Sequence, residues 1–174
     1  GIAPDILCLA KGITGGQLPL AATLCADRIF DAHYSPDRSK TFYHSSSYTA
    51  NPIACAAAVA NVGIWREEPV LERVKALCDM QERRIARLGT DNVFRNVRQT
   101  GTITAIDIDV DDGGYLADIG PAMYEAFLAK GVLLRPLGNT VYVMPPYCIT
   151  SDQLDCVYTA LINGVEQVLA GGRS

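Results

Sequence analysis

Paired cysteine motifs, a basic face and long apolar runs are all missing from this chain, and each absence removes a class of function. The six cysteines, Cys8, Cys25, Cys55, Cys78, Cys148 and Cys156, form neither a CxxC motif nor a pairing with His33 or His44. Each stands in an apolar or helical context and reads as a buried free thiol, which excludes a disulfide framework or a zinc site and points to a reducing cytoplasm. A net charge of -4 is the wrong sign for a nucleic-acid binder. Arg83, Arg84 and Arg87, interleaved with acids on one helix, read as a solvated face. No apolar run approaches a membrane span, and no signal-like segment is read at the start. Asp107, Asp109, Asp111 and Asp112 lack the later ligands and closing glutamate of a calcium loop, so no metal is expected.

What is present is enough for a sizeable core: 174 residues, 49% of them hydrophobic and 20% charged, the balance of a globular protein. The first local signal is a lysine. The apolar run Ile6-Leu7-Cys8-Leu9-Ala10 reads as a strand and delivers Lys11 into Gly12-Ile13-Thr14-Gly15-Gly16. A strand fixes the backbone, and glycines permit a sharp bend and close approach of a ligand. A lysine so placed suits Schiff-base chemistry with a carbonyl, although lysines after strands are more often solvated surface charges. Leu20 to Ala26 reads as a second strand, joined to the first as a hairpin. Asp27 is expected to cap a short helix through His33, and residues 34–47 read as a long loop.

Asn51-Pro52 signals a helix start, a capping side chain followed by a residue pre-shaped for the first turn. The helix from Ile53 to about Arg66 opens on small apolar residues, which predicts burial on most sides. A second, amphipathic helix spans about Pro69 to Leu88. Strands are expected at 93–97 and 102–110, the latter half-buried through Ile103, Ala105, Ile106, Ile108 and Val110. Asp111 to Gly114 reads as a turn, and a helix from about Pro121 ends at Gly131. Two strands follow, 132–135 and 140–144. Thr150 and Gln153 form a capping box ahead of a last helix that buries Leu154, Val157, Tyr158, Leu161, Ile162, Val165 and Leu169. Residues from about 69 onward thus read as a compact α+β unit, whereas the two strands before them cannot bury both faces alone and imply a larger sheet. On residue type alone, Ser46 and Ser47 read as loop hydroxyls. Arg135, beside Pro136, reads equally as a structural ion pair, and Tyr142, between Val141 and Val143, as a core residue. His44 is assigned no chemistry.

Three segments together change that reading. Pro4-Asp5-Ile6-Leu7-Cys8-Leu9-Ala10-Lys11-Gly12 leads to Gly15-Gly16 and Leu18-Pro19-Leu20. The second is His44-Ser45-Ser46-Ser47-Tyr48-Thr49-Ala50-Asn51-Pro52-Ile53-Ala54, and the third Leu134-Arg135-Pro136-Leu137-Gly138 with Met144-Pro145-Pro146-Tyr147. This set closely resembles the class III pyridoxal-phosphate aminotransferases of fold type I, over essentially the whole chain but matching only their C-terminal part. The implied fold class is α/β: the edge of the large-domain sheet plus the small α/β domain. Residues 1–66 would be a remnant of the cofactor-binding large domain with the interdomain helix, 67–170 the small domain and 171–174 a disordered tail.

By the same resemblance Lys11 is the Schiff-base lysine and proton carrier, roles that need a neutral amine. Ser46 and Ser47 reach the cofactor phosphate of the partner subunit in a homodimer, where the family usually has Pro-Thr. Ser45 lies beside the substrate in place of a common glycine. Arg135 pairs with the substrate carboxylate, for which its bidentate fork is suited, and Tyr142 lies near the substrate. The Arg-Pro-Leu-Gly and Met-Pro-Pro-Tyr pair narrows the resemblance to the biotin-pathway branch, with S-adenosylmethionine as donor and 8-amino-7-oxononanoate as acceptor. An ω-amino acid or diamine aminotransferase and a non-catalytic association module are the alternatives. The family's aspartate at the pyridine nitrogen, its ring-stacking aromatic and its phosphate-binding helix have no counterpart here, so the chain alone is expected to be an incomplete, inactive fragment.

Overall fold

The computed structural model describes residues 1–44, 46–89 and 92–171. They fall into two compact units, Gly1–Val70 and Leu71–Ser174, each taken here by itself.

In the first unit, β1 (Ile6–Ala10) and β2 (Ala21–Cys25) pair antiparallel, Ile6 opposite Cys25 and Ala10 opposite Ala21. A 3-10 turn over Gly12–Thr14 joins them, as the expected hairpin. The helix α1 (Asp27–His33) follows, but Asp27 lies in its first turn and Ala26 holds the cap position without a side-chain bond. The long loop contains a 3-10 turn, Arg38–Lys40. Asn51 caps α2 (Pro52–Glu67) by accepting from the N–H groups of Ile53 and Ala54 at 3.0 and 3.2 Å. Contrary to the expectation from its small apolar residues, α2 is largely exposed. Only Ala54 is buried, while Ile53 and Val59 are 71% and 73% exposed. The reason is a shortage of partners: within this unit the 3-10 turn after β1 is the element packed against it.

The second unit holds the core. It begins with α3 (Val70–Leu88), whose first residue lies at the unit boundary. β3 (Phe94–Thr100), β4 (Ile103–Ile108) and β5 (Thr140–Val143) form an antiparallel sheet in the order β3-β4-β5. The helices α4 (Ile119–Leu128) and α5 (Ser151–Gly171) complete it. Thr104, Ile106 and Ile108 of β4 and Val141 and Val143 of β5 are buried, and they meet Leu77 of α3, Met123 and Phe127 of α4, and Leu154, Leu161 and Val165 of α5. Period-2 alternation therefore puts Thr104 inward and leaves Ile103 exposed, a phase shift from the expected apolar set. On the outer side Asp107 accepts from Asn96, Arg98 and Thr140. Burial pushes its carboxyl up, but those three bonds and the Arg98 charge outweigh it and hold the group below the usual carboxylate range.

Three further expectations need correction. Residues 132–135 form no strand: the Val132 N–H donates to Phe127 O of α4 at 3.1 Å, and Pro136 has no N–H to give a ladder. Arg84 is not on a solvated face. Its side chain is only 11% exposed and donates to Asp155, Met80 O and both oxygens of Ser151, tying α3 to the start of α5. The cysteines are free, but Cys8, Cys25, Cys148 and Cys156 are exposed and the other two half-buried. The Thr150–Gln153 capping box forms in both directions, at 3.0 and 3.2 Å. Gly171 belongs to α5, and the rest of the expected tail lies outside the described residues. Among the described residues no helix is long and apolar enough to cross a membrane, and no His/Cys/Asp/Glu group is set to hold a metal.

Candidate active site

Lys11 stands where β1 stops. Its backbone, φ 53° and ψ −79°, lies near the strained γ-turn region that side-chain-bearing residues rarely occupy. Its carbonyl accepts from the N–H groups of Thr14 and Gly16 at 3.3 and 3.2 Å. The buried Thr14 hydroxyl donates to Leu18 O at 2.6 Å and lies 3.3 Å from the same Lys11 carbonyl. Gly15 and Gly16 take positive φ, 63° and 80°, so the chain reverses within five residues and returns as β2. The Lys11 side chain is exposed. Beside it in the chain, a Cβ placed on Gly12 or Gly16 would meet nothing within 4 Å, so the turn itself is not packed over.

Asn61 of α2 reaches this turn, donating from Nδ2 to Gly12 O at 2.9 Å and Ile13 O at 3.1 Å. Neither Asn61 nor Thr14 is singled out by motif reasoning. For Asn61 the signal was available, a lone amide in an otherwise apolar helix face. Ser46 and Ser47 are exposed in the same unit. The Ser46 hydroxyl accepts from the Tyr48 N–H at 3.4 Å, and the Ser46 backbone exchanges bonds with Thr49. Ser45 lies outside the described residues.

Arg135 and Tyr142 belong to the second unit. Arg135 is exposed between buried Leu134 and half-buried Pro136, and it lines a cleft of about 420 Å³ with Tyr115, Asp118, Tyr124 and Glu125. The loop behind it is pinned by Asn139, which accepts from Gly114 N–H and donates to Ile108 O, both at 2.8 Å. Gly138, at φ 60°, has no room for a Cβ, which would overlap Gly114 O. Tyr142 pairs with Ala105 and is half-buried on the face of β5 opposite Val141 and Val143. It therefore does not face the core. Lys11 with Ser46 and Ser47 thus lie in one unit, and Arg135 with Tyr142 in the other.

Comparison with known proteins identifies the family. The family model for aminotransferase class-III matches residues 1–165. The adenosylmethionine-8-amino-7-oxononanoate aminotransferase of Synechococcus elongatus is 41% identical over 168 residues, 97% of this chain and 39% of that protein. The enzyme of the same name from Helicobacter pylori is 37% identical, over 98% and 39%. Among solved structures, the adenosylmethionine-8-amino-7-oxononanoate aminotransferase of Methanocaldococcus jannaschii superposes with a TM-score of 0.81 at 34% identity, covering 92% of this chain and 39% of that one. An amine transaminase from an uncultivated Pseudomonas species, in a PLP-bound form, gives 0.82 at 32% identity over 96% and 39%. The chain spans about 39% of the length of these relatives. It adopts the corresponding part of fold type I, the fold of pyridoxal-phosphate aminotransferases. From its first residue through most of α5, this chain belongs to the class III aminotransferases.

Proposed function

We propose that this chain is part of a pyridoxal-phosphate aminotransferase of biotin biosynthesis. The reaction moves an amino group from S-adenosylmethionine to 8-amino-7-oxononanoate and gives 7,8-diaminononanoate. The observation that carries the reading is the strained, exposed Lys11 at the end of β1, held by its turn. Strain of this kind persists where the surroundings over-determine it, and it clusters at functional residues. The first unit, in this reading, belongs to the cofactor-binding large domain, and the second is the small domain.

The residues fit the cofactor. An exposed primary amine suits its aldehyde, the glycines leave room for a flat ring, and the hydroxyls of Ser46 and Ser47 suit a phosphate. When bound, pyridoxal phosphate supplies a carbonyl for the lysine and a ring that takes up the electron pair of a carbon–hydrogen bond. Lys11 Nζ holds the cofactor between turnovers. Once released by substrate, the same nitrogen takes the proton from the substrate carbon and returns it on the other side of the transfer, so it serves both half-reactions. Arg135 binds and orients the substrate carboxylate through its two-pronged guanidinium. Tyr142 borders the substrate, and Ser46 and Ser47 serve a partner subunit's phosphate in a homodimer. The exposed Ile53, Val59, Val62 and Trp65 of α2 support association. The enzyme would work in the cytoplasm.

The test is a pyridoxal-phosphate titration of the purified protein, then borohydride reduction and peptide mapping. Label concentrated on Lys11 and lost in Lys11→Ala is expected. Label spread evenly over Lys11, Lys40, Lys75 and Lys130 would overturn the reading. The likeness to the Pseudomonas amine transaminase favours a second reading, an ω-amino acid or diamine donor. Donor assays on the complete protein separate the two, since amino transfer from S-adenosylmethionine belongs only to the first.

A further inference from the structure

Between Ile53 and Ile64, α2 carries one side-chain amide, Asn61, among alanines, valines, isoleucines, a cysteine and a glycine. Both N–H bonds of that amide are spent on two consecutive carbonyls of the lysine turn, Gly12 O and Ile13 O. The contact is close enough to dictate sequence. A Cβ on Gly15 would lie 3.1 Å from Asn61 Oδ1, and Gly15 is already in the left-handed conformation. On the near side of the turn, Lys11 O is bonded by Thr14 and Gly16. A lysine backbone at φ 53° and ψ −79° relaxes unless something outside it prevents relaxation. Among the described residues, the Asn61 side chain ties the turn to another element by hydrogen bonds.

We propose that Asn61 is a positioning residue: its amide clamps Gly12 and Ile13 to α2, keeps Lys11 in its strained geometry, and thereby aims the Lys11 amine at the cofactor carbonyl. The proposal rests on the reading of Lys11 as the cofactor lysine. It makes α2 a rigid support for the reactive amine, since a side chain on a helix holds a loop more precisely than the loop holds itself.

Three variants of the full chain test it, with pyridoxal phosphate as the probe. Asn61→Ala removes the amide, Asn61→Asp keeps the shape but sets oxygen against two carbonyls, and Asn61→Gln keeps both donors on a longer arm. Two quantities are read. One is amide hydrogen exchange at Gly15 and Gly16, referenced to the strand amides of β1 and β2 in the same unit. The other is the share of borohydride label on Lys11 relative to Lys40, Lys75 and Lys130. With two hydrogen bonds lost, Ala and Asp are expected to speed turn exchange by about tenfold and to cut the Lys11 share severalfold, while β1 and β2 exchange is unchanged and Gln restores part of both. A merely structural role would raise exchange in β1 and β2 as well, without selective loss at Lys11 and without rescue by Gln, and would overturn the clamp. Turn exchange and labelling unchanged in the Asp variant would overturn the clamp. Faster turn exchange in a protein whose wild type never labels Lys11 preferentially would overturn the cofactor reading instead, and the two failures are thereby told apart.

Discussion

The hydroxyl of Tyr158 donates to Gln81 Oε1 at 2.5 Å. Its proton spent there, it accepts from the Thr104 hydroxyl at 2.8 Å, while Gln81 Nε2 donates to Thr102 O at 3.0 Å. Gln81 and Thr104 have no exposed surface, so each bond replaces water that cannot reach. Tyr158→Phe strands two buried polar atoms and should cost about 1–3 kcal/mol, read as a lower urea midpoint. Burial raises the Tyr158 hydroxyl to about 12, although the Thr104 bond and the Arg84 charge pull the other way. The sign follows: the unfolded chain loses this proton near pH 10 and the folded one only near 12. The contribution is therefore full below pH 10 and lost between 10 and about 12. A stability-against-pH curve for the wild type minus that of Tyr158→Phe should fall across that window, and a flat difference would contradict the argument. At this scale the readable residues were those acting on near neighbours, such as Asn51 on its own helix and Thr150 with Gln153. Lys11 was readable because glycines mark its turn. Asn61 left a local mark, a lone amide in an apolar stretch, but its partners, carbonyls 48 and 49 residues away, are a separation that no local pattern encodes.

Helix α5 illustrates what decides an element. Its capping box and its apolar stripe through Leu154, Tyr158, Leu161 and Val165 are local. Its distance from α4 is set by Gly164, where a Cβ would come within 2.6 Å of the Phe127 ring. Phe127 is fully buried and has nowhere to go. Gly164→Ala gains helix propensity of up to about 1 kcal/mol, but overpacking costs typically 1–3 kcal/mol. A net loss of about 1 kcal/mol is expected, a drop of about 4–8 °C in melting temperature for a unit of this size. Phe127→Leu beside it should recover part of the drop, and an alanine variant melting above wild type would refute the packing argument. The elements that sequence reading missed share one cause. The apolar run Val132-Leu133-Leu134 looked like a strand, but Val132 is held by α4 and Pro136 ends pairing. Likewise α2 looked buried, since composition reports that a surface suits burial and not whether a partner is at hand.

Across the molecule, apolar burial is concentrated in one unit. In residues 1–70 the buried side chains among those described are Thr14, Ala54 and Val70, whereas the cluster from Leu77 to Val165 holds fourteen residues. In the same first unit Ile6, Leu7, Leu9, Leu24, Ile53 and Val59 are exposed, the surface of a two-stranded ribbon and a helix with too few neighbours. Stability should follow burial, so the units are expected to unfold separately. The chain carries its own reporter: the one tryptophan, Trp65, lies in α2 of the first unit, while α3, α4 and α5 dominate helical circular dichroism. In urea, Trp65 fluorescence should therefore change first, and the main loss of ellipticity should follow at higher denaturant. A protein of residues 71–171 alone should keep that second transition with little change in midpoint, since every member of the buried cluster is inside it. Coincident transitions in the whole chain, or a fragment without a cooperative transition, would mean that the second unit draws its stability from residues 1–70. If pyridoxal phosphate engages Lys11, it should move the fluorescence transition to higher urea and leave the ellipticity transition in place, because a ligand stabilises the unit that holds its site.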